Sequence, residues 1–170
     1  MTTRGRGNQL TRQIGEHLVT AELGRRGYIA TPFSGNVPMF DLVATDIEGR
    51  AVPIQVKAIN GPSWQFSATS FLEIDIVDGE QIVRGKRRLG MPELLCIFVL
   101  LKRAGEDEFY IFRYELLQAI FANTYKGGRR PKNPESVHCA IWPSELSEYR
   151  DNWDLIDSVL GARQTAPGLG

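Results

Sequence analysis

Two cysteines in 170 residues are too few for a disulfide-stapled scaffold. Cys96 and Cys139 stand far apart among apolar neighbours. They read as buried free thiols of a reducing, cytoplasmic compartment, with a lone disulfide as the alternative. The longest apolar run, residues 94–101, is far short of a membrane span. Residues 1–6 lead into polar sequence without the apolar stretch that a secretory signal requires. No GxxxxGK(S/T) or GxGxxG occurs, so nothing points to nucleotide-dependent work. His17 and His138 have no Cys or His neighbours at zinc-ligand spacing, and no Ser–His–Asp order is legible. A charge excess of either sign is also missing: 20 Lys and Arg face 20 Asp and Glu. That balance excludes a broadly cationic nucleic-acid coat but allows a basic patch offset by acidic sequence elsewhere.

The chain is 42% hydrophobic and 24% charged, which excludes a disordered or fibrous protein. Its length fits one domain with a core large enough to stand without staples. Residues 1–160 are expected to form it, with core motifs in 8–59, an elaboration in 93–160 and a disordered tail in 161–170.

A first helix is expected from Asn8 or Thr11 to Arg25 and Arg26, stopped by Gly27. Leu10, Ile14, Leu18 and Ala21 share one stripe and read as its core face. Val19 and Leu23 form a second stripe on nearly the opposite side, so the helix is expected to be covered on two sides, and Glu16 lies on the second stripe. After Gly27 the period changes: short strands are expected at 28–33 and 40–45, then a strictly alternating one at 51–59. Further extended pieces fall at 64–68, at 71–77 with 81–84 around Asp78-Gly79, at 94–101, at 109–113 and at 137–142. A short helix is expected at 114–122, and Ser144 should cap a last helix reaching about Leu160. The succession is α/β or α+β.

The polar face of the 51–59 strand carries the chemistry. Gln55 and Lys57 project from one side of an otherwise apolar strand. A hairpin turning about Glu48 and Gly49 sets Asp41 opposite Val56 or Lys57, so Asp41, Gln55 and Lys57 converge at one end. A carboxylate and an amide oxygen are hard ligands suited to Mg²⁺. A partly buried lysine beside them can orient or deprotonate an attacking water. The bland alternative is an Asp–Lys pair closing a hairpin, with Gln55 solvated and Glu16 a surface carboxylate favoured by the helix dipole.

Glu16 on a helix, Gly27-Tyr28, Ser34-Gly35, Phe40-Asp41-Leu42-Val43-Ala44 and Ile54-Gln55-Val56-Lys57 follow in that order. Together they resemble the PD-(D/E)XK nuclease superfamily, in particular its Holliday-junction-resolvase-like, restriction-endonuclease-like branch, over roughly the first third of the chain. The resemblance implies an αβββαβ core with a mixed sheet flanked by helices, and Mg²⁺- or Mn²⁺-dependent hydrolysis of DNA phosphodiesters. It implies Asp41 as central metal ligand, Gln55 as second ligand helped by the Val56 carbonyl, and Lys57 as catalytic lysine. Glu16 would complete the site, Ser34 would lie near it, and a homodimer would be the assembly. Phe40 stands where the family has proline, and Gln55 where it has Asp or Glu. The neutral amide removes a negative charge and motivates the alternative of an inactive nuclease-fold module that binds nucleic acid or a protein.

Basic residues are clustered: Arg84, Lys86, Arg87 and Arg88, then Lys126, Arg129, Arg130 and Lys132, with Arg4, Arg6 and Arg12 near the start. The first two clusters read as phosphate-contacting loops or as merely solvated surface. The compensating acids gather in the last helix (Glu145, Glu148, Asp151, Asp154, Asp157), so a polarised molecule is expected. Trp64, Phe66, Trp142 and Trp153 read as core, with base stacking as the alternative for the first two.

Overall fold

The computed structural model describes residues 3–33, 39–126 and 128–165. Its elements run α1 (Thr3–Arg25), β1 (Ile29–Pro32), β2 (Leu42–Thr45), β3 (Ala51–Ile59), β4 (Trp64–Ser67), β5 (Leu72–Val77) and β6 (Glu80–Lys86). Then come β7 (Leu95–Leu100), β8 (Glu108–Arg113), α2 (Glu115–Thr124), β9 (His138–Ile141) and α3 (Asp154–Thr165). Short 3-10 turns cover Ala68–Ser70 and Pro143–Tyr149.

Five strands form the central sheet in the order β1-β2-β3-β7-β8. All neighbours pair antiparallel except β3 and β7, which run parallel, so the sheet is mixed as expected. The chain returns from β3 to its parallel partner through β4, the 68–70 turn and the β5–β6 hairpin. An α-helix occupies that connection in the αβββαβ order; here the helix, α2, follows β8 instead.

Alternation along the strands explains the layers. Val52, Ile54 and Val56 of β3, Leu95, Ile97 and Val99 of β7, and Phe109 and Ile111 of β8 point to one face. There they meet Val19 and Leu23 of α1 and Ile156, Val159 and Leu160 of α3. The intervening Cys96, Phe98, Tyr110 and Phe112 point to the other face, against α2 (Leu117, Phe121), Trp64 of β4 and Ile141 of β9. The two cysteines are buried free thiols. No helix among the described residues is long and apolar enough to cross a membrane.

Several expectations are corrected. The helix begins by Thr3, well before Asn8. Of the two stripes expected to be covered, the Val19 and Leu23 one is fully buried, whereas in the other Leu18 packs on the core but Leu10 is 58% and Ile14 47% exposed. Gly15 gives the reason, because a methyl group there would press on Ala58 Cβ at well under 3.0 Å. The helix therefore crosses β3 backbone-close on its Gly15–Val19–Leu23 side, and Leu10 and Ile14 turn outward.

The last helix is broken in two. Residues 143–149 wind as a 3-10 turn, Asp151 takes a left-handed φ of 53°, and α3 starts at Asp154 and continues past Leu160 to Thr165. Residues 161–165, expected in the tail, are thus helical; residues 166–170 lie outside the described residues. Trp153 is buried as expected, but Trp142 is 49% exposed. Arg84 and Lys86 lie on strand β6, and only Arg87 and Arg88 follow it as irregular chain.

Candidate active site

The turn between β2 and β3 sets the register on which the site depends. Asp46 closes it: its Oδ1 accepts from the backbone N–H of Glu48 at 3.0 Å and of Arg50 at 2.9 Å, and Gly49 supplies a φ of 79°. Leu42 then pairs with Ile54 and Thr45 with Ala51. Continued outward, this register aligns Asp41 with Gln55, one or two places short of the expected Val56 or Lys57. The Asp41 N–H donates to the Ile54 carbonyl at 2.9 Å.

Asp41 therefore sits just before β2, beside the middle of β3. Its Oδ2 accepts the Val56 N–H at 2.8 Å, which fixes the carboxylate against the strand. Val56 contributes a backbone donor to Asp41, a role not foreseen beside the expected carbonyl. Asp41, Gln55, Val56 and Lys57 line one cleft of about 320 Å³, together with Arg12, Met39, Phe40 and Ala58. A second chamber of about 310 Å³ continues from Lys57 and Ala58 to Asn8, Thr11, Asn60, Ser63 and Gln65. A larger cavity, about 470 Å³, lies beyond β8 against α2 and Tyr149, away from this cluster. It is lined by Lys86, Arg113, Glu115 and Gln118 among others, and shares no residue with the cleft of Asp41, Gln55 and Lys57.

Lys57 is held on β3 with its ammonium 4.9 Å from the Phe66 ring. Its own carbonyl accepts from Trp64 Nε1 at 3.0 Å. Burial pushes the ammonium below its usual value of 10.5, against the opposing pull of Asp41. Gln55 faces Cys96, whose Sγ lies 4.0 Å from Oε1; burial raises that thiol far above its ordinary range, so it stays protonated. Trp64 is buried and Phe66 is packed with it against Phe98 and Phe121.

Glu16 does not line the cleft; it joins the cluster through Arg12. Arg12 Nε donates to Glu16 Oε1 at 2.7 Å and Nη2 to Asp41 Oδ1 at 2.8 Å, so one guanidinium carries both carboxylates. In the sequence Arg12 reads only as part of a basic N-terminal segment. Its position four residues before Glu16 on a helix is the one signal there of a closer tie.

The donor set can be tested on that guanidinium. A cation is seated between Asp41 and Glu16, and no other ion pair forms at either carboxylate among the described residues. Gln55 borders the same cleft, and its Oε1 accepts from no nitrogen or oxygen donor among the described residues. Two carboxylates and an amide oxygen that meets only the weak thiol donor of Cys96 are hard donors that fit Mg²⁺ or Mn²⁺. No group of three His, Cys, Asp or Glu side chains suited to a metal exists among the described residues.

The basic clusters come together in space. Arg129 forms an antiparallel bridge with Gln81 of β6, and Arg130 pairs with Glu80 at 2.7 Å. Arg84 is held by Asp75 at 2.8 Å, and Arg129 lies over the Tyr125 ring. Lys86, Arg87, Arg88, Lys126 and Lys132 are exposed and form no ion pair among the described residues. The 87–90 segment ends at Gly90, beside the side chain of Met39, which lines the cleft. Met39 itself holds a left-handed φ of 82° immediately before Phe40-Asp41. Ser34 lies outside the described residues, as do the side chains of Arg4 and Arg6.

No protein-family model matches the sequence, and no curated protein matches it. Among solved structures, the chain is similar to a bacterial homing endonuclease, I-Ssp6803I, at 20% identity and a TM-score of 0.49. The match covers 92% of this chain and 95% of the other.

Proposed function

We propose that this protein is a divalent-metal-dependent endonuclease acting on DNA, with its reaction centre at Asp41, Gln55, Lys57 and Glu16. The observation that carries the reading is the shared cleft of Asp41, Gln55 and Lys57, to which Arg12 ties Glu16. Asp41 and Glu16, with Gln55 Oε1 and the Val56 carbonyl, would hold Mg²⁺ or Mn²⁺. Bound there, the ion supplies charge stabilisation to the phosphate and a more acidic water.

The chain's own groups do the rest. The Val56 N–H keeps Asp41 in one orientation through Oδ2, and Oδ1, which Arg12 holds, is the oxygen that would meet the ion. Lys57, pulled toward its neutral form by burial, orients the attacking water and accepts its proton. Once protonated, the same ammonium offsets negative charge developing on phosphate. Exposed Lys86, Arg87 and Arg88, in the stretch that leads to Gly90 beside Met39, would grip the sugar–phosphate backbone, with Lys126 and Lys132 extending the surface.

A plasmid-nicking assay in Mg²⁺ or Mn²⁺ tests this. Cleavage should be lost in Asp41→Ala and Lys57→Ala, and cleavage unchanged in both would sink the mechanism. The neutral Gln55 favours a second reading, a nuclease-fold module that binds DNA without cutting it. Calorimetry separates the two, because such a module takes up no Mn²⁺ in an Asp41-dependent manner.

A further inference from the structure

Arg12 is half exposed, rooted on α1 one turn before Glu16, and it lines the cleft. Its planar fork grips two carboxylates at once, through Nε and Nη2. The same fork matches the oxygens of a phosphate equally well. A divalent ion on Asp41 and Glu16 cannot share that place with a guanidinium. Two positive charges set roughly 5 Å from one, screened as in bulk water, correspond to about a fifteenfold change in binding constant. The exposed outer side of Arg12 lets the fork leave without disturbing the buried Val19 and Leu23 that hold the helix.

We infer that Arg12 is a two-position counter-ion, which clasps Asp41 and Glu16 in the free protein and, when metal arrives, releases them to grip a DNA phosphate beside the one attacked. This rests on Asp41 and Glu16 being the metal ligands. Metal alone then binds weakly, because it must displace Arg12. DNA offers the displaced guanidinium a new partner, so metal and DNA each strengthen the other's binding by the same factor. Arg12 acts here as a positioning and phosphate-binding residue, and it withholds the metal site from free cations until DNA is present.

The test is Mn²⁺ titration by calorimetry, on the DNA-free protein and on its complex with a duplex carrying slowly cleaved phosphorothioate linkages, which keep the phosphate charge. Arg12→Gln should bind Mn²⁺ about tenfold or more tightly than the parent when DNA is absent, and should lose most of the strengthening that DNA brings. Arg12→Lys keeps the charge but can grip only one carboxylate, and should fall between the two. It also serves as the reading if Arg12→Gln does not fold.

A merely structural clasp gives the opposite sign, since loosening Asp41 and Glu16 would weaken Mn²⁺ binding. Weaker or unchanged Mn²⁺ affinity in both variants, with the parent binding in an Asp41-dependent way, overturns this inference alone. Absence of Asp41-dependent uptake in parent and variants overturns the metal-dependent reading and this inference with it.

Discussion

Gly15→Ala is the most informative single change, because stability and activity should part company. The added methyl group meets Ala58 Cβ at well under 3.0 Å and Ala58 Cα at 3.6 Å, so Cβ against Cβ is the whole clash. Restoring an ordinary carbon–carbon separation of about 3.5–4.0 Å requires α1 to back away from β3 by roughly 1 Å. Overpacking of this kind costs about 1–3 kcal/mol, and replacing a mid-helix glycine by alanine returns about 1 kcal/mol. The net destabilisation is therefore small, about 0–2 kcal/mol. The same shift carries Arg12 and Glu16 away from Asp41, and misplacement by about 1 Å can cost on the order of 10²-fold in rate. Urea unfolding and plasmid nicking on one preparation should show a modest loss of stability beside a large loss of cleavage. Ala58→Gly should rescue Gly15→Ala, because it removes the atom that clashes. A Gly15→Ala protein that gains about 1 kcal/mol and cleaves normally would refute the close crossing.

Three other outcomes are expected. Since burial lowers the Lys57 ammonium, its neutral fraction grows as pH rises toward that lowered value, and cleavage at saturating metal should climb with pH; an equally steep climb in Lys57→Arg would rule the lysine out as proton acceptor. Lys86→Ala/Arg87→Ala/Arg88→Ala should flatten the dependence of log K on log salt by about 0.9 for each phosphate no longer neutralised, measured by fluorescence anisotropy, and an unchanged slope would remove this segment from the DNA path. Glu108 is nearly buried, and the burial acts to raise its carboxyl, but hydrogen bonds from Lys102 at 2.6 Å and Tyr110 at 2.8 Å, with Arg150 nearby, outweigh it and hold the group below its usual value. Its stabilisation is complete above 4.5 and is lost as pH falls through the lowered value, so Glu108→Gln should cost about 1–2 kcal/mol at neutral pH and nothing in strong acid, by chemical denaturation.

The strands around the site are legible in the sequence because alternation there is strict: 51–59 reads the same in sequence and in structure. Their register differs from the expected one by one or two places, because the Asp46 side chain, not the Glu48-Gly49 pair alone, decides where the turn closes. The stripe of α1 read as core is the less buried one because both stripes are apolar. Periodicity ranks stripes by hydrophobicity, whereas the fold selects the one whose glycine allows backbone approach to Ala58. Trp142 reads as core by its neighbours, yet it follows Ile141 on a strand and so points away from the face that Ile141 fills. Arg84 and Lys86 read as loop because charge masks the alternation of an exposed two-stranded hairpin. Arg12 is not legible as a site residue, since its partner Asp41 is 29 positions distant and only the fold brings them together.

The place of β3 between an adjacent and a distant partner has a consequence for how the cleft comes into being. Its hairpin with β2 closes over a few residues, whereas its parallel pairing sets Ile54 against Leu95, about 40 positions further on. Loop-closure entropy makes the second pairing dearer by about 2 kcal/mol, so the hairpin is expected to form first, which φ-value analysis of β2 and β7 would check. Asp41, Gln55 and Lys57 are thus aligned by a local turn while the lysine is still in water. The dry surroundings arrive later: Phe98, which pairs with Lys57 in register, and Phe66 over its ammonium both come from beyond that turn. Geometry here is homegrown and dielectric is imported. A chain with the hairpin but without β7 is expected to hold Asp41, Gln55 and Lys57 in order around an ordinary, fully protonated lysine, and the burial that lowers the Lys57 ammonium arrives only when the sheet closes.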